Sequence, residues 1–246
     1  MIKDFKGKVA VITGAGSGIG RSLAHAFAKR GMKIVIADLI EDKLNSVSQE
    51  LEKMGAEVLP MVIDVSNRDN INELANTTFE RFGKANILCN NAGVVSGSHM
   101  QLLTLEDWDF VLGINLFGVI YGTKAFLDGM IESGEPCHIV NTASAAGLVP
   151  ADNGPYSVSK FGVVALSELL LVQNYNTNIG VSVLCPGFVD TDIINNTEII
   201  AQARSGLFQP APEMVEASKI QLENTTRLLK LGMSPDTVAE KVIKAI

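Results

Sequence analysis

Cysteine is scarce, with three residues in 246. Cys89, Cys137 and Cys185 each lie in or beside an apolar, strand-like run. Their spacing fits no metal motif, and an odd count far apart in sequence points to buried free thiols, not a disulfide framework. No metal is expected, and a reducing, cytoplasmic location is. Histidine is equally scarce. His25, His99 and His138 stand in no triad context, and G-x-S-x-G is missing, which argues against a serine hydrolase built on Ser144. Basic runs are missing too. The 20 Lys and Arg are scattered and the net charge is −7, so neither nucleic acid nor an anionic membrane is the expected partner. No segment approaches the roughly 20 apolar residues of a membrane span. The opening MIKDFKGKVAVIT has no apolar stretch long enough for a signal peptide before the first strand.

What is present alternates. Short apolar runs read as strands: KVAVIT (8–13), KIVIAD (33–38), EVLPMVID (57–64), NILCN (86–90), HIVNTAS (138–144) and VSVLCPG (181–187). Several lack polar alternation, as strands covered on both faces do. Helical patterns lie between them, for example RSLAHAFAKRG, ended by Gly31, and LNSVSQELEKMG, ended by Gly55. Such alternation predicts an α/β fold with a doubly wound parallel sheet in three layers. At 246 residues, 47 % of them hydrophobic, one domain is expected over 1–246. Residues 190–233 break the rhythm with polar clusters and helical pieces that follow no strand. A long insertion near the carboxyl end of the sheet reads as a substrate-binding lid.

The first strand runs into TGAGSGIG, Thr13 to Gly20. A strand, a glycine-rich turn and a helix place free backbone N–H groups and a positive dipole end where a pyrophosphate can sit. Ile19 stands where G-x-G-x-x-G wants glycine. Gly14, Gly18 and Gly20 allow the tight turn and close ligand approach. Asp38 ends the second strand, where an acid can bind both ribose hydroxyls and repel a 2′-phosphate. Neither Leu39 nor Ser17 is basic, so NAD is expected before NADP. Asp38 could instead serve only as a helix-capping acid.

GPYSVSK, residues 154–160, places Tyr156 and Lys160 on one face of a helix that Pro155 can start. Such a pair is ordinarily a surface contact. Its company changes that: TGAGSGIG, NNAG at 90–93, Asn115 in GINLFG, Ser144 in NTASAAG, YSVSK and PGFVDT at 186–191 follow in one order. Together these closely resemble the short-chain dehydrogenase/reductase family over roughly the first four-fifths of the chain. The resemblance implies a Rossmann-type sheet in the order 3-2-1-4-5-6-7, although only six strands are legible here.

The resemblance also implies roles. Tyr156 is the general acid–base that exchanges the hydroxyl proton while hydride moves to or from the nicotinamide. A free phenol has a pKa of about 10, and lowering it by about three units takes roughly 4 kcal/mol. The Lys160 ammonium and the nicotinamide cation are expected to supply this in a partly dry cleft. Lys160 also bonds the nicotinamide ribose. Ser144 bonds the substrate oxygen, unless it is merely a turn serine. Asn115 holds a relay water, or makes a structural helix–helix bond, or both. For the cofactor, the turn supplies Gly14, Ser17, Gly18, Ile19 and Gly20. Asp38 takes the ribose, and Asp64 and Val65 the adenine. Asn91, Ala92 and Gly93 line the site, with Asn90 expected there as well. Pro186, Gly187, Val189 and Thr191 fix the carboxamide.

The expected substrate region comprises Val94 to Met100, Leu148 to Asn153, Phe188, Ile194, Ile199, Leu207 and Phe208. Most of it is apolar and it carries no cluster of Lys or Arg, which favours an uncharged secondary alcohol or ketone. The Tyr156 helix continues as FGVVALSELLLVQN, with apolar residues on more than one face. A sheet buries one face, so a homodimer or homotetramer is expected. A non-catalytic dinucleotide-binding regulator is the rival reading, although a sensor has no use for a proton donor.

Overall fold

The six apolar runs become six strands: β1 (Val9–Thr13), β2 (Lys33–Asp38), β3 (Val58–Val62), β4 (Ile87–Asn90), β5 (Cys137–Thr142) and β6 (Ile179–Leu184). They pair in the order β3-β2-β1-β4-β5-β6, every neighbour parallel. The computed structural model describes residues 2–95, 100–151, 153–203 and 224–246. Its helices include α1 (Gly18–Ala28), α2 (Glu41–Lys53), α3 (Arg68–Phe82), α4 (Leu105–Leu112), α5 (Gly118–Glu132), α6 (Gly154–Gln173), α7 (Ile193–Ala203) and α8 (Pro235–Ala245), and residues 224–230 are helical as well.

Period-two alternation sorts each central strand between two layers. Ala10 and Ile12 of β1 face Leu23 and Phe27 of α1, Leu44 of α2 and Val242 of α8. Val9 and Val11 face the opposite cluster, with Leu74 of α3, Val111 of α4 and Phe126 of α5. α6 packs beside α5 through Val119, Ala143 and Val163. The three-layer doubly wound fold is therefore as expected. β3 differs from a strand covered on both faces: it lies at the sheet edge and alternates half-buried with exposed residues. Pro60, which cannot donate to a ladder, is tolerated at such an edge. Among the described residues the sheet ends at β6, followed only by an isolated parallel bridge between Val189 and Met233.

Two stretches are more apolar than the sequence reading allowed. Leu105–Glu132 and Gly154–Gln173 are long and apolar enough to cross a membrane by length and composition. Both lie against the sheet, with Phe126, Met130 and Val163 fully buried. Their apolarity serves the core on one side. The first is continuous because a π-helical turn, Gly113–Phe117, joins α4 to α5.

The chain order reverses between β1 and β4, which leaves a crevice above their carboxyl ends. β5 ends at Thr142 and β6 at Leu184, earlier than the apolar runs suggested, because the chain leaves the sheet there to build that crevice.

Candidate active site

Above the switch point lies a cavity of about 690 Å³. Its first wall is the glycine turn. Gly14 has φ +64°, and a Cβ there would stand 2.7 Å from the Ala92 Cα. A Cβ on Gly20 would sit on the Gly14 carbonyl oxygen. Any larger residue at either position would push β1 and the NNAG segment apart. Asn91 holds that segment: its backbone N–H donates to Thr13 Oγ1 (3.0 Å) and its Nδ2 to the Thr13 carbonyl (3.0 Å). Thr142 of β5 donates to Asn91 Oδ1 (3.3 Å), so one amide ties three strand ends.

Asp38 accepts from the Gly16 N–H (2.8 Å) and the Ile40 N–H (3.0 Å), and its side chain still lines the cavity. It caps the turn before α2 and also faces the site. Asp64 accepts from both the backbone N–H and the hydroxyl of Ser66 and lines the cavity with Ile63 and Val65. Ser17, Gly18, Ile19, Ala92, Gly93, Pro186, Gly187, Val189 and Thr191 line it too. Gly20 does not, and acts through the turn's geometry.

Asn90 is a correction. Its side chain turns into the core, where Nδ2 donates to Asn141 Oδ1 (2.9 Å) and Thr123 Oγ1 (3.3 Å), and it does not line the cavity. Successive strand residues face opposite ways, so of two adjacent asparagines only Asn91 reaches the site.

At the other end of the cavity, α6 brings up Tyr156 and Lys160. Pro155 stands in the first turn of the helix, as expected. Lys160 is buried; its Nζ donates to the Thr142 carbonyl (3.0 Å) and lies 5.6 Å from the centre of the Tyr156 ring. Ser144 caps a short 3₁₀ turn, accepting from the Ala146 N–H (3.1 Å), and lines the cavity beside Tyr156. Asn115 is fully buried in the π-helical turn and does not line the cavity. Its Oδ1 accepts from the Val94 N–H (2.8 Å), and its Nδ2 donates to the Val94 carbonyl (2.9 Å) and Ser159 Oγ (3.2 Å). Ser159 in turn donates to the Tyr156 carbonyl (2.6 Å). Asn115 thus pins the strand-four loop to α6. The π turn that carries it is of a kind frequent at functional sites. A Cβ on Gly93 would lie 3.2 Å from Asn115 Oδ1 and 3.5 Å from Lys160 Nζ, so glycine leaves both groups open to one another.

The expected acidic phenol rests on two cations, the Lys160 ammonium and the nicotinamide ring, acting against burial. Burial raises the Tyr156 phenol, and the Ser144 hydroxyl is what opposes it. Burial also brings the Lys160 ammonium down to about 8. The protein's own groups therefore do not make the phenol acidic, because a dry cleft penalises both charges.

Of the expected substrate residues, Val95, Val149, Pro150, Ala151, Asn153, Phe188 and Ile194 line the cavity. Val94 is fully buried beneath it, and Met100, Leu148 and Ile199 lie off it. Ser96 to His99, Asp152, Leu207 and Phe208 fall outside the described residues. The sequence reading missed Lys43, Ile193, Asn196, Thr197 and Leu229, all of which line the cavity. Ile193 and Thr197, four apart on α7, follow helical spacing and could have been found; Lys43 carries no signal beyond lying five residues past Asp38.

A family model described as short chain dehydrogenase matches residues 8–199. The chain belongs to the short-chain dehydrogenase family. It is 34 % identical over its full length to a CLA biosynthesis dehydrogenase/reductase of Lactiplantibacillus plantarum, spanning 86 % of that protein. It spans 38 % of a longer protein of Mycobacterium tuberculosis, named "Probable oxidoreductase EphD", at 32 % identity over 96 % of this chain. A short-chain dehydrogenase/reductase from Burkholderia phymatum, solved with NAD, superposes with a TM-score of 0.91 at 39 % identity, over 99 % of this chain and 87 % of that one. An alcohol dehydrogenase from Thermococcus sibiricus, solved with 5-hydroxy-NADP, gives 0.76 at 28 % identity, over 96 % and 89 %. This dehydrogenase thus shares its fold with proteins that hold either form of the cofactor. Its own cavity suits a nicotinamide dinucleotide, because a Cβ on Gly14, Gly16, Gly18 or Gly20 would clash and the turn opens α1, whose N-terminal N–H groups can face a pyrophosphate.

Proposed function

We propose that this dehydrogenase transfers a hydride between NAD(H) and an uncharged secondary alcohol or ketone. The observation that carries the reading is the layout of one cavity, with the glycine turn and Asp38 at one end and Ser144 and Tyr156 at the other. The nicotinamide, when bound, supplies the hydride acceptor or donor. Tyr156 takes the substrate hydroxyl proton in oxidation and returns it in reduction. Ser144 donates to the same oxygen as charge builds there. Lys160 steadies the phenolate, and the positive ring of the oxidised cofactor adds the charge needed to offset burial. Asn115 positions α6 and the strand-four loop around these groups.

Asp38 favours NAD, since a 2′-phosphate beside its carboxylate would add a second negative charge. Residues 190–203 and 224–233 form the substrate-binding part of the single catalytic domain, with Ile193, Ile194 and Leu229 on the cavity wall. Among the described residues the substrate end carries mostly apolar side chains, one carboxylate (Glu198) and no Lys or Arg besides Lys160, which disfavours an anionic substrate. α6 leaves Val158, Phe161, Leu169 and Val172 exposed on its far side, which supports a homo-oligomer built on this helix.

Absorbance at the reduced-nicotinamide band, with a panel of secondary alcohols and each cofactor, tests the reading. NAD-dependent turnover of neutral alcohols is expected. Tight cofactor binding with silence across the panel would favour a regulator instead. Light scattering showing only monomer at micromolar concentration would remove the oligomer.

A further inference from the structure

Two adjacent residues of α7 hold opposite walls of the cavity. The Thr197 hydroxyl accepts from the Val95 N–H on the strand-four side (3.0 Å) and donates to the Ile193 carbonyl (2.8 Å). The Asn196 amide donates to Ser17 Oγ in the glycine turn (2.8 Å), and its oxygen accepts from the Lys43 ammonium of α2. α7 therefore crosses the crevice and is tied down at both edges.

Lys43 is an odd member of this arrangement. It is half-buried, yet among the described residues it forms no ion pair, and its partner is a neutral amide. Asp38 is close but does not take it. A Cβ built on Gly16 would lie 2.9 Å from Asp38 Oδ2 and 3.1 Å from Lys43 Cβ, so the two side chains flank the same turn while the carboxylate is spent on backbone N–H groups. Among the described residues that line the cavity, the only cations are Lys43 and Lys160, and Lys160 belongs to the catalytic end. The glycine turn itself offers an anion backbone donors, a helix end and the Ser17 hydroxyl, but no charge.

We propose that Lys43 and Asn196 form a latch. The Lys43 ammonium completes the rim around the dinucleotide's phosphates, and through Asn196 it draws α7 closed over the bound cofactor. The inference rests on reading the cavity as a dinucleotide site. It makes capture of the cofactor and closure of the substrate chamber one event, because the helix that carries Asn196 also carries the Ile193 and Ile194 wall. Lys43 and Asn196 are positioning residues; neither reaches the reacting atoms.

The test measures NAD affinity by calorimetry at low and high salt, and NADH release by stopped-flow fluorescence. Lys43→Met is expected to raise the NAD Kd about tenfold, the scale of one lost charge-assisted hydrogen bond, and to flatten its salt dependence. Asn196→Ala is expected to speed NADH release by about tenfold while leaving the salt dependence in place. Lys43→Arg should restore affinity, which a merely structural defect would not allow. Thr197→Val frees the other edge and should also speed release. Lys43→Met and Asn196→Ala proteins that bind and release cofactor within about twofold of wild type would overturn the latch while leaving the dinucleotide site intact. A Lys43→Met protein that loses NADP affinity far more than NAD affinity would overturn it too, making Lys43 a reader of the 2′-phosphate. Wild-type protein that binds neither dinucleotide would instead remove the underlying reading of the cavity, and the latch with it.

Discussion

At the amino ends of β1, β4 and β5, Glu135 gathers Lys84 (2.7 Å), Lys8 (3.1 Å) and the Asn86 amide (3.0 Å), while Asn86 also accepts from the Val9 N–H (3.0 Å). At the carboxyl end of the sheet, Tyr156, Ser144, Asp38 and Lys43 face a cavity. Both ends carry charged and polar side chains. At the first, each group is satisfied by another and the set holds strand starts together. At the second, backbone and side chains are arranged around space. Charge on a sheet end is thus no sign of function by itself; what matters is whether the groups spend their hydrogen bonds on each other.

That contrast can be broken by mutation. The largest effect is expected at Lys160. Lys160→Met should cut kcat/KM by about a thousandfold or more, within the usual range for acid–base machinery, and leave the thermal midpoint near wild type. Steady-state kinetics beside a melting curve would show it. Next is Gly20→Val. With the Gly14 carbonyl in the way, the turn must open, so calorimetry should find no measurable cofactor binding and the melting midpoint should fall. Asp38→Ala should weaken NAD by about tenfold and narrow the preference over NADP, seen in paired KM values. A wild type that already prefers NADP would contradict the role given to Asp38.

The smallest effect is expected at the opposite end. Lys84, then Lys8, hold the Glu135 carboxyl down to about 2, against an ordinary value of 4.5. A depressed carboxylate stabilises the fold above its unfolded pKa and loses that contribution as pH falls from about 4.5 towards 2. The group is more than a third exposed, so solvent screening keeps the contribution to about 1 kcal/mol or less. Glu135→Gln should therefore flatten the acid side of the stability curve slightly and leave kcat and KM unchanged. A loss of activity in that variant would blur the distinction between the two ends.

Sequence made some of this legible because local rules govern it. Apolar runs of strand length became strands, and glycines that ended helical patterns, Gly31 and Gly55, have φ of +74° and +83°. The order of motifs placed Ser144, Tyr156 and Lys160 at one site. What was hidden depends on distance or orientation. Lys43 and Asn196 stand 153 residues apart, and no local pattern pairs them. Asn90 and Asn91 are identical letters whose roles part only when the strand's pleat sends one into the core. Asn115 sat in an apolar stretch whose π turn is invisible in a simple helical repeat. Burial, which opposes the Tyr156 phenolate, cannot be weighed from two residues four apart.

The most direct check is single-turnover formation of reduced nicotinamide by Tyr156→Phe, alongside its NAD Kd, on an alcohol that the wild type oxidises. The account predicts wild-type affinity and a hydride-transfer rate at least about a thousandfold slower. A Phe variant that oxidises the alcohol within tenfold of the wild-type rate would contradict it.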